Sequence, residues 1–221
     1  HSAIKTVFDQ NRVPEFDIAG AHTVLSFGAD WLGTWLSPVR YGTKYGDFRG
    51  GDHRGFMMHA ESRMSLTAAA ADRWLTVNPG YEGDLAISIA SVIVKDQLVP
   101  ENNISAYTAN IPEGELEKWA PESVADRVGV SAELIKEAAH KFAEDGPSIA
   151  FGGGSAGAQT NGAFNLTAIY ALNILAGTIG KRAGFNSTRP ERKDCRIRPP
   201  AHHSKPGKTN SHTGVRATLR P

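Results

Sequence analysis

Apolar and polar residues follow two different periodicities along residues 1–186. Short runs rich in β-branched and aromatic side chains predict strands at residues 22–27, 55–60, 74–77 and 148–151. The third run stops at Asn78-Pro79-Gly80, a combination that is typical of turns. Each of these runs has the length of a buried strand and is too short for a helix.

Longer segments with helical periodicity separate these strands. Residues 84–97 place Leu85, Ile89, Val92 and Ile93 on one face, which predicts an amphipathic helix. Ser131 is suited to cap a second helix through residue 143, and residues 163–176 predict a third. The alternation predicts an α/β fold: a Rossmann-like parallel sheet with helices on both faces. The polar stretch 45–52 is expected to be a loop.

Residues 187–221 differ in composition from the rest of the chain. They hold five prolines and nine Lys or Arg against two acidic residues, with few large apolar side chains. Such a segment cannot bury enough surface to offset its ordering entropy, so we expect a disordered basic tail after an α/β domain at 1–186. A flexible extension and an arm that binds anionic surfaces are both compatible with this composition. No apolar run is long enough to span a bilayer directly.

The metal-ligating residue types form no recognisable motif in the sequence. The single cysteine, Cys195, excludes a Cys-only iron–sulfur or zinc site within this chain. The histidines at 1, 22, 53, 59 and 140 lie at spacings unlike those of known zinc motifs, so we expect no metal site. No nucleophile with a neighbouring base is evident either, and we assign no catalytic residue.

Loops that follow the predicted strands are the candidate binding site, because ligands of open parallel sheets lie beyond the carboxyl ends of the strands. Four loops qualify: 28–30, 61–67, 78–82 and 152–157. For the first three, a ligand site competes with a simpler interpretation: a tight turn at Gly28, a helix cap at Ser65, and a favourable helix-dipole contact at Glu82. The glycines at 152, 154 and 157 match a dinucleotide-binding pattern only weakly, since no acidic residue follows at the required distance.

Four segments in series resemble the molybdopterin oxidoreductase (DMSO reductase) superfamily: 26–39, 61–68, 71–74 and 79–83. The similarity extends over roughly residues 15–185. It implies that the loops hold the guanosine and pyrophosphate of a molybdopterin guanine dinucleotide. The implied cofactor-binding residues are Gly28, Ala29, Asp30, Glu61, Ser62, Arg63, Ser65, Gly80 and Glu82.

Two loops depart from the pattern of the cofactor-bearing members. Residues 61–63 read Glu-Ser-Arg where those proteins commonly have Asp-Pro-Arg, and residues 79–82 read Pro-Gly-Tyr-Glu in place of Pro-Gly-Thr-Asp. Contacts to the guanosine are therefore expected to be altered or lost.

Within the superfamily the chain is most similar to the molybdopterin-like iron–sulfur subunit of alternative complex III. This resemblance implies an internal fragment that acts as scaffold or electron-transfer part of a membrane-associated, quinol-oxidising respiratory complex. Its partners would be the other subunits, with no nucleic acid, and its location the periplasmic side of a bacterial inner membrane. The alternative is the guanine-dinucleotide-binding domain of an active molybdenum oxidoreductase.

Overall fold

The computed structural model describes residues 2–9, 13–51, 53–179 and 185–186. The predicted disordered tail at 187–221 lies outside these residues. The helices are α1 (Ser2–Phe8), α2 (Pro38–Gly50), α3 (Leu66–Ala69), α4 (Glu82–Lys95), α5 (Glu101–Thr108), α6 (Pro121–Val128), α7 (Ala132–Glu144), α8 (Ser155–Ala158) and α9 (Gly162–Ala176), with a 3-10 turn at Leu116–Trp119. The strands are β1 (Glu15–Phe16), β2 (Thr23–Phe27), β3 (Phe56–Ala60), β4 (Arg73–Leu75), β5 (Ser148–Gly152) and β6 (Phe185–Asn186).

Four of these strands form a parallel sheet in the order β4-β3-β2-β5. The predicted α/β architecture is therefore confirmed, and each predicted strand is present with its end moved by no more than two residues. The short strands β1 and β6 pair separately in an antiparallel ribbon.

Strand side chains alternate between two apolar cores, as expected for a sheet covered on both faces. In β2, Leu25 and Phe27 join a core formed with α4, α6, α7 and α9, whereas Val24 points to the opposite side. That second core is rich in aromatic rings, and Phe151 of β5 stacks there on Trp35 with ring centroids 5.6 Å apart. Helices on both faces are thus confirmed.

Two local expectations need correction. Helix α4 is buried on most of its circumference, including Ala86, Ser88 and Ala90, because α6, α7 and α9 all pack against it. The stretch 45–50, expected to be a loop, forms the second half of α2. The three glycines of α2 disfavour a helix, but tertiary contacts outweigh this, since Phe48 is buried and Arg49 Nη1 lies 2.6 Å from Asp72 Oδ2.

The helix starting after Ser131 follows the prediction. Ser131 Oγ accepts a hydrogen bond from the backbone N–H of Leu134, as an N-cap residue does. The apolar stripe of α7, including Ile135, Ala138 and Phe142, is buried in the core that α4 shares.

Candidate functional site

The loops after β2, β3 and β5 are joined by backbone hydrogen bonds at the carboxyl edge of the sheet. Gly28 N donates to Ala60 O over 2.8 Å, and Gly153 N donates to Phe27 O over 3.1 Å. The loop after β4 reaches the same place, because Asn165 Nδ2 donates to both Gly80 O and Ala156 O, each over 3.2 Å. The structure therefore brings the four predicted loops together, as parallel strands require.

Gly28 owes its identity to the packing of two loops. It has φ +62°, and a Cβ at this position would lie 2.5 Å from both Ala156 N and Ser155 Oγ. Its neighbour Ala29 is fully buried. The space beside Gly28 is thus filled by the segment after β5, and both backbone groups of Gly28 are bonded within the edge: Gly28 N donates to Ala60 O, and Gly28 O accepts from Ser155 N.

Asp30 is committed to an internal contact. Its Oδ1 accepts hydrogen bonds from the backbone N–H of Thr67 over 3.2 Å and from its hydroxyl over 2.8 Å. Ser65 Oγ in turn accepts from Ala68 N over 3.2 Å and caps α3. These bonds tie the loop after β2 to the loop after β3, so Asp30 and Ser65 stabilise the edge itself.

A buried polar network, consisting of Trp31, Ser26, His59 and Glu61, extends along this edge. Trp31 Nε1 donates to Ser26 Oγ over 3.2 Å, and Ser26 Oγ lies 2.7 Å from His59 Nδ1. The indole only donates, so Ser26 Oγ accepts from it. On the other side of the imidazole, His59 Nε2 lies 3.3 Å from Glu61 Oε2.

Both carboxylate oxygens of Glu61 accept hydrogen bonds. Burial alone would raise its pKa, but hydrogen bonds from His59 and Ser65 and the charge of Arg63 outweigh burial and lower the pKa. Arg63 Nε donates to Glu61 Oε1 over 3.3 Å, and 67% of the Arg63 side chain remains exposed. Ser62 is exposed as well. Arg63 and Ser62 are therefore the groups of this loop that a ligand can reach.

Glu82, at the start of α4, has an unused acceptor. Its Oε2 accepts from Asn165 Nδ2 over 3.2 Å, whereas the buried Oε1 has no hydrogen-bond partner among the residues that the structure describes. Burial raises the pKa of Glu82, and the charge of Glu61 raises it further. Gly80, two residues earlier, adopts φ +88° and presents its carbonyl to Asn161 and Asn165.

Ser26, His59 and Asn165 were not among the residues predicted for the site. Ser26 and His59 are register partners in neighbouring strands, and each is a polar residue in an otherwise apolar run. A shared register of two polar residues is the signal that could have found them once the strands were aligned. Asn165 gives no comparable signal, because a single amide in an apolar helix does not reveal which backbone groups it contacts.

Comparisons with known proteins identify relatives of the chain. The chain is 27% identical over 180 residues to the menaquinone reductase molybdopterin-binding-like subunit of Nitratidesulfovibrio vulgaris. The aligned region covers 80% of the chain. It is 24% identical over 197 residues to the arsenate respiratory reductase molybdopterin-containing subunit ArrA of a Shewanella species, covering 77% of the chain. The chain is related to the molybdopterin oxidoreductases. The superfamily resemblance drawn from the sequence is confirmed.

A solved structure supports the same relationship at the level of fold. Acetylene hydratase from Pelobacter acetylenicus superposes with a TM-score of 0.61 at 20% identity and covers 80% of the chain. The chain spans about a quarter of the length of these two relatives and of the acetylene hydratase. No protein-family model matches it. Among the described residues, no helix has the length and apolar character needed to cross a membrane.

Proposed function

We propose that this chain is the scaffold part of an oxidoreductase subunit in a membrane-associated, quinol-oxidising respiratory complex similar to alternative complex III. The observation that carries the proposal is the internal hydrogen bonding of Asp30 and Glu61 at the carboxyl edge. Asp30 is bonded to Thr67, and Glu61 is bonded within the buried polar network. Asp30 and Glu61, to which the family resemblance assigns nucleotide contacts, here bind residues of the protein itself. The name of one relative, a molybdopterin-binding-like subunit of a menaquinone reductase, also supports this proposal.

The alternative is a domain that binds the guanine-dinucleotide part of a molybdopterin cofactor. Glu82 favours it, because its unpartnered Oε1 is an acceptor of the kind that the N1 and N2 donors of guanine require. Arg63 is exposed and fits a phosphate oxygen. Such a cofactor supplies redox chemistry at its metal when bound, and this chain would contribute only orientation of its nucleotide end.

Titration calorimetry of the full chain with GDP separates the two functions. A scaffold is expected to give no saturable heat, because Asp30 and Glu61 are already engaged in hydrogen bonds within the edge. A cofactor domain is expected to bind GDP, and Arg63→Ala would then weaken binding by roughly 1.5 to 3 kcal/mol, the scale of a hydrogen bond to a charged group. Saturable binding weakened in this way would contradict the scaffold proposal.

Arg54→Ala provides the matched control for this experiment. Arg54 is another exposed arginine, 64% accessible, but it pairs with Asp72 just before β4, at the opposite end of the sheet. Any nucleotide binding at the carboxyl edge should be unchanged in this variant. A loss equal to that of Arg63→Ala would show that GDP responds only to the surface charge of the protein.

The cellular location has a separate test. We propose the periplasmic side of a bacterial inner membrane, with attachment through other subunits of the complex. After cell fractionation the protein should sediment with membranes, be released by a chaotropic wash, and be digested by protease added to spheroplasts. Recovery in the cytosolic fraction, protected from the protease, would contradict this location.

A further inference from the structure

Three residues with metal-ligating side chains meet at the amino edge of the sheet, opposite the candidate site. His22 precedes β2, His53 precedes β3 and Asp145 precedes β5. One ligand atom from each of the three lies within 4.8 Å of the other two. The imidazole rings of His22 and His53 are stacked with centroids 3.9 Å apart, and His53 Nε2 is 3.9 Å from Asp145 Oδ1. We call these three residues the amino-edge cluster.

The backbone holds two members of the cluster firmly. His22 N donates to Pro147 O, and His22 O accepts from Phe56 N, each over 2.7 Å. Thr23 Oγ1 donates to Asp145 O over 3.0 Å. The three strand starts are therefore fixed next to one another, while the side chains of His53 and Asp145 are 47% and 34% exposed.

We propose that the amino-edge cluster binds a divalent transition-metal ion of the zinc type. Two imidazoles and one carboxylate are a ligand set that such ions favour, with one position left for water. Bond lengths of roughly 2.0 to 2.2 Å bring ligand atoms to within about 4 Å of each other, so the cluster closes by small side-chain rotations. The bound ion links the amino ends of three adjacent strands.

The contacts present without a metal do not account for the cluster by themselves. The separation of 3.9 Å between His53 and Asp145 is too long for a hydrogen bond, and exposed ion pairs contribute little to stability. The proposal departs from the expectation from sequence that the histidines form no ligand set. The motif spacing was uninformative because the ligands come from three separate strand starts, which only the sheet brings together.

Zinc titration of the full chain, stripped with a chelator, tests the proposal. We expect one equivalent of Zn²⁺ to bind with micromolar affinity or better, and Mg²⁺ not to compete, since it prefers oxygen ligands. His53→Ala and His22→Ala should each weaken Zn²⁺ binding at least tenfold, and Asp145→Asn should weaken it less. Co²⁺ in place of Zn²⁺ should give the strong visible absorption of a four-coordinate site, and this absorption should be lost in His53→Ala.

Two controls keep the result specific. His140→Ala removes another exposed imidazole, whose two nitrogens face different carboxylates, those of Glu144 and Asp96, and so do not converge on one ion. A His202→Ala/His203→Ala double variant removes the adjacent histidines of the tail. Both variants should retain the zinc equivalent. Should His22→Ala fail to fold, the exposed His53→Ala and Asp145→Asn decide the matter. Zinc affinity unchanged in these two, or lost only in a control, would overturn the proposal.

Discussion

Strands β2 and β3 carry polar residues at both ends, and the cluster at the amino edge also includes Asp145 before β5; the two clusters differ in burial and in hydrogen bonding. At the carboxyl edge Ser26, His59 and Glu61 are at most 1% exposed and bonded to one another. At the amino edge His53 and Asp145 are partly exposed and make no hydrogen bond through their side chains with each other. The imidazole of His59 is therefore held in place as part of the structure, whereas the imidazole of His53 is available to a ligand.

Burial explains this difference. A polar group removed from water must find partners inside the protein, so the buried imidazole of His59 is held on both nitrogens. An exposed imidazole keeps its hydration and has no such requirement. A buried cluster whose polar atoms are all hydrogen-bonded to one another thus has a structural role. A surface cluster whose polar atoms lack such bonds can accept a ligand.

The largest expected effect comes from removing the buried imidazole. His59→Ala leaves a cavity and takes a partner from both Ser26 and Glu61, so we expect the free energy of unfolding to fall by roughly 2 to 4 kcal/mol. Urea denaturation followed by circular dichroism measures this loss. His140→Ala, at an exposed imidazole, should change stability by less than about 0.5 kcal/mol. Equal stability of the two variants would remove the distinction between the edges.

The sequence was informative about this fold wherever local pattern and tertiary structure agree. The strand at 148–151 and the Ser131 cap follow from residue type and periodicity alone. The second half of α2 did not, because Phe48 and Arg49 stabilise it through partners distant in sequence. The candidate loops were found from their place after strands, yet the partners of their side chains depend on contacts such as Asn165 with Gly80.

The two edges also separate what sequence can show about chemistry. The resemblance to molybdopterin oxidoreductases directed attention to the carboxyl edge, and the loops there do converge. At the amino edge no motif exists, because the residues before three strand starts become neighbours only through strand order. A cluster of this kind is visible only after the sheet topology is known.

A smaller effect, of opposite sign, is expected at Glu82, whose buried Oε1 has no hydrogen-bond partner among the residues that the structure describes. Its pKa is raised by burial, so the folded state favours the protonated form. The stability that this provides is fully present below the unfolded pKa of about 4.3 and is lost as pH rises through the folded value. Glu82→Gln removes the charge, and we expect it to stabilise the protein at pH 7 by roughly 0.5 to 1.5 kcal/mol.

The pH dependence distinguishes this cause from a simple packing effect. Denaturation of wild type and Glu82→Gln between pH 4 and pH 8 should give curves that converge at the acid end and separate as pH rises. Glu82→Gln keeps an acceptor for Asn165 Nδ2, so that contact is preserved. A difference in stability between the two proteins that is constant at every pH, or destabilisation by the variant at pH 7, would show that the charge of Glu82 does not lower the stability of the wild type.

The smallest effect is expected at the amino edge without metal. His53 is half exposed and stacks on His22, so His53→Ala in chelator should lower the free energy of unfolding by no more than about 0.5 kcal/mol. Urea denaturation in the same chelating buffer, beside His59→Ala, gives both values under one condition. The distinction between the two edges holds if His59→Ala lowers the free energy of unfolding several times more than His53→Ala does. A loss at His53 as large as that at His59 would mean that the amino-edge cluster is itself part of the architecture, since an exposed side chain open to a ligand should be dispensable for folding.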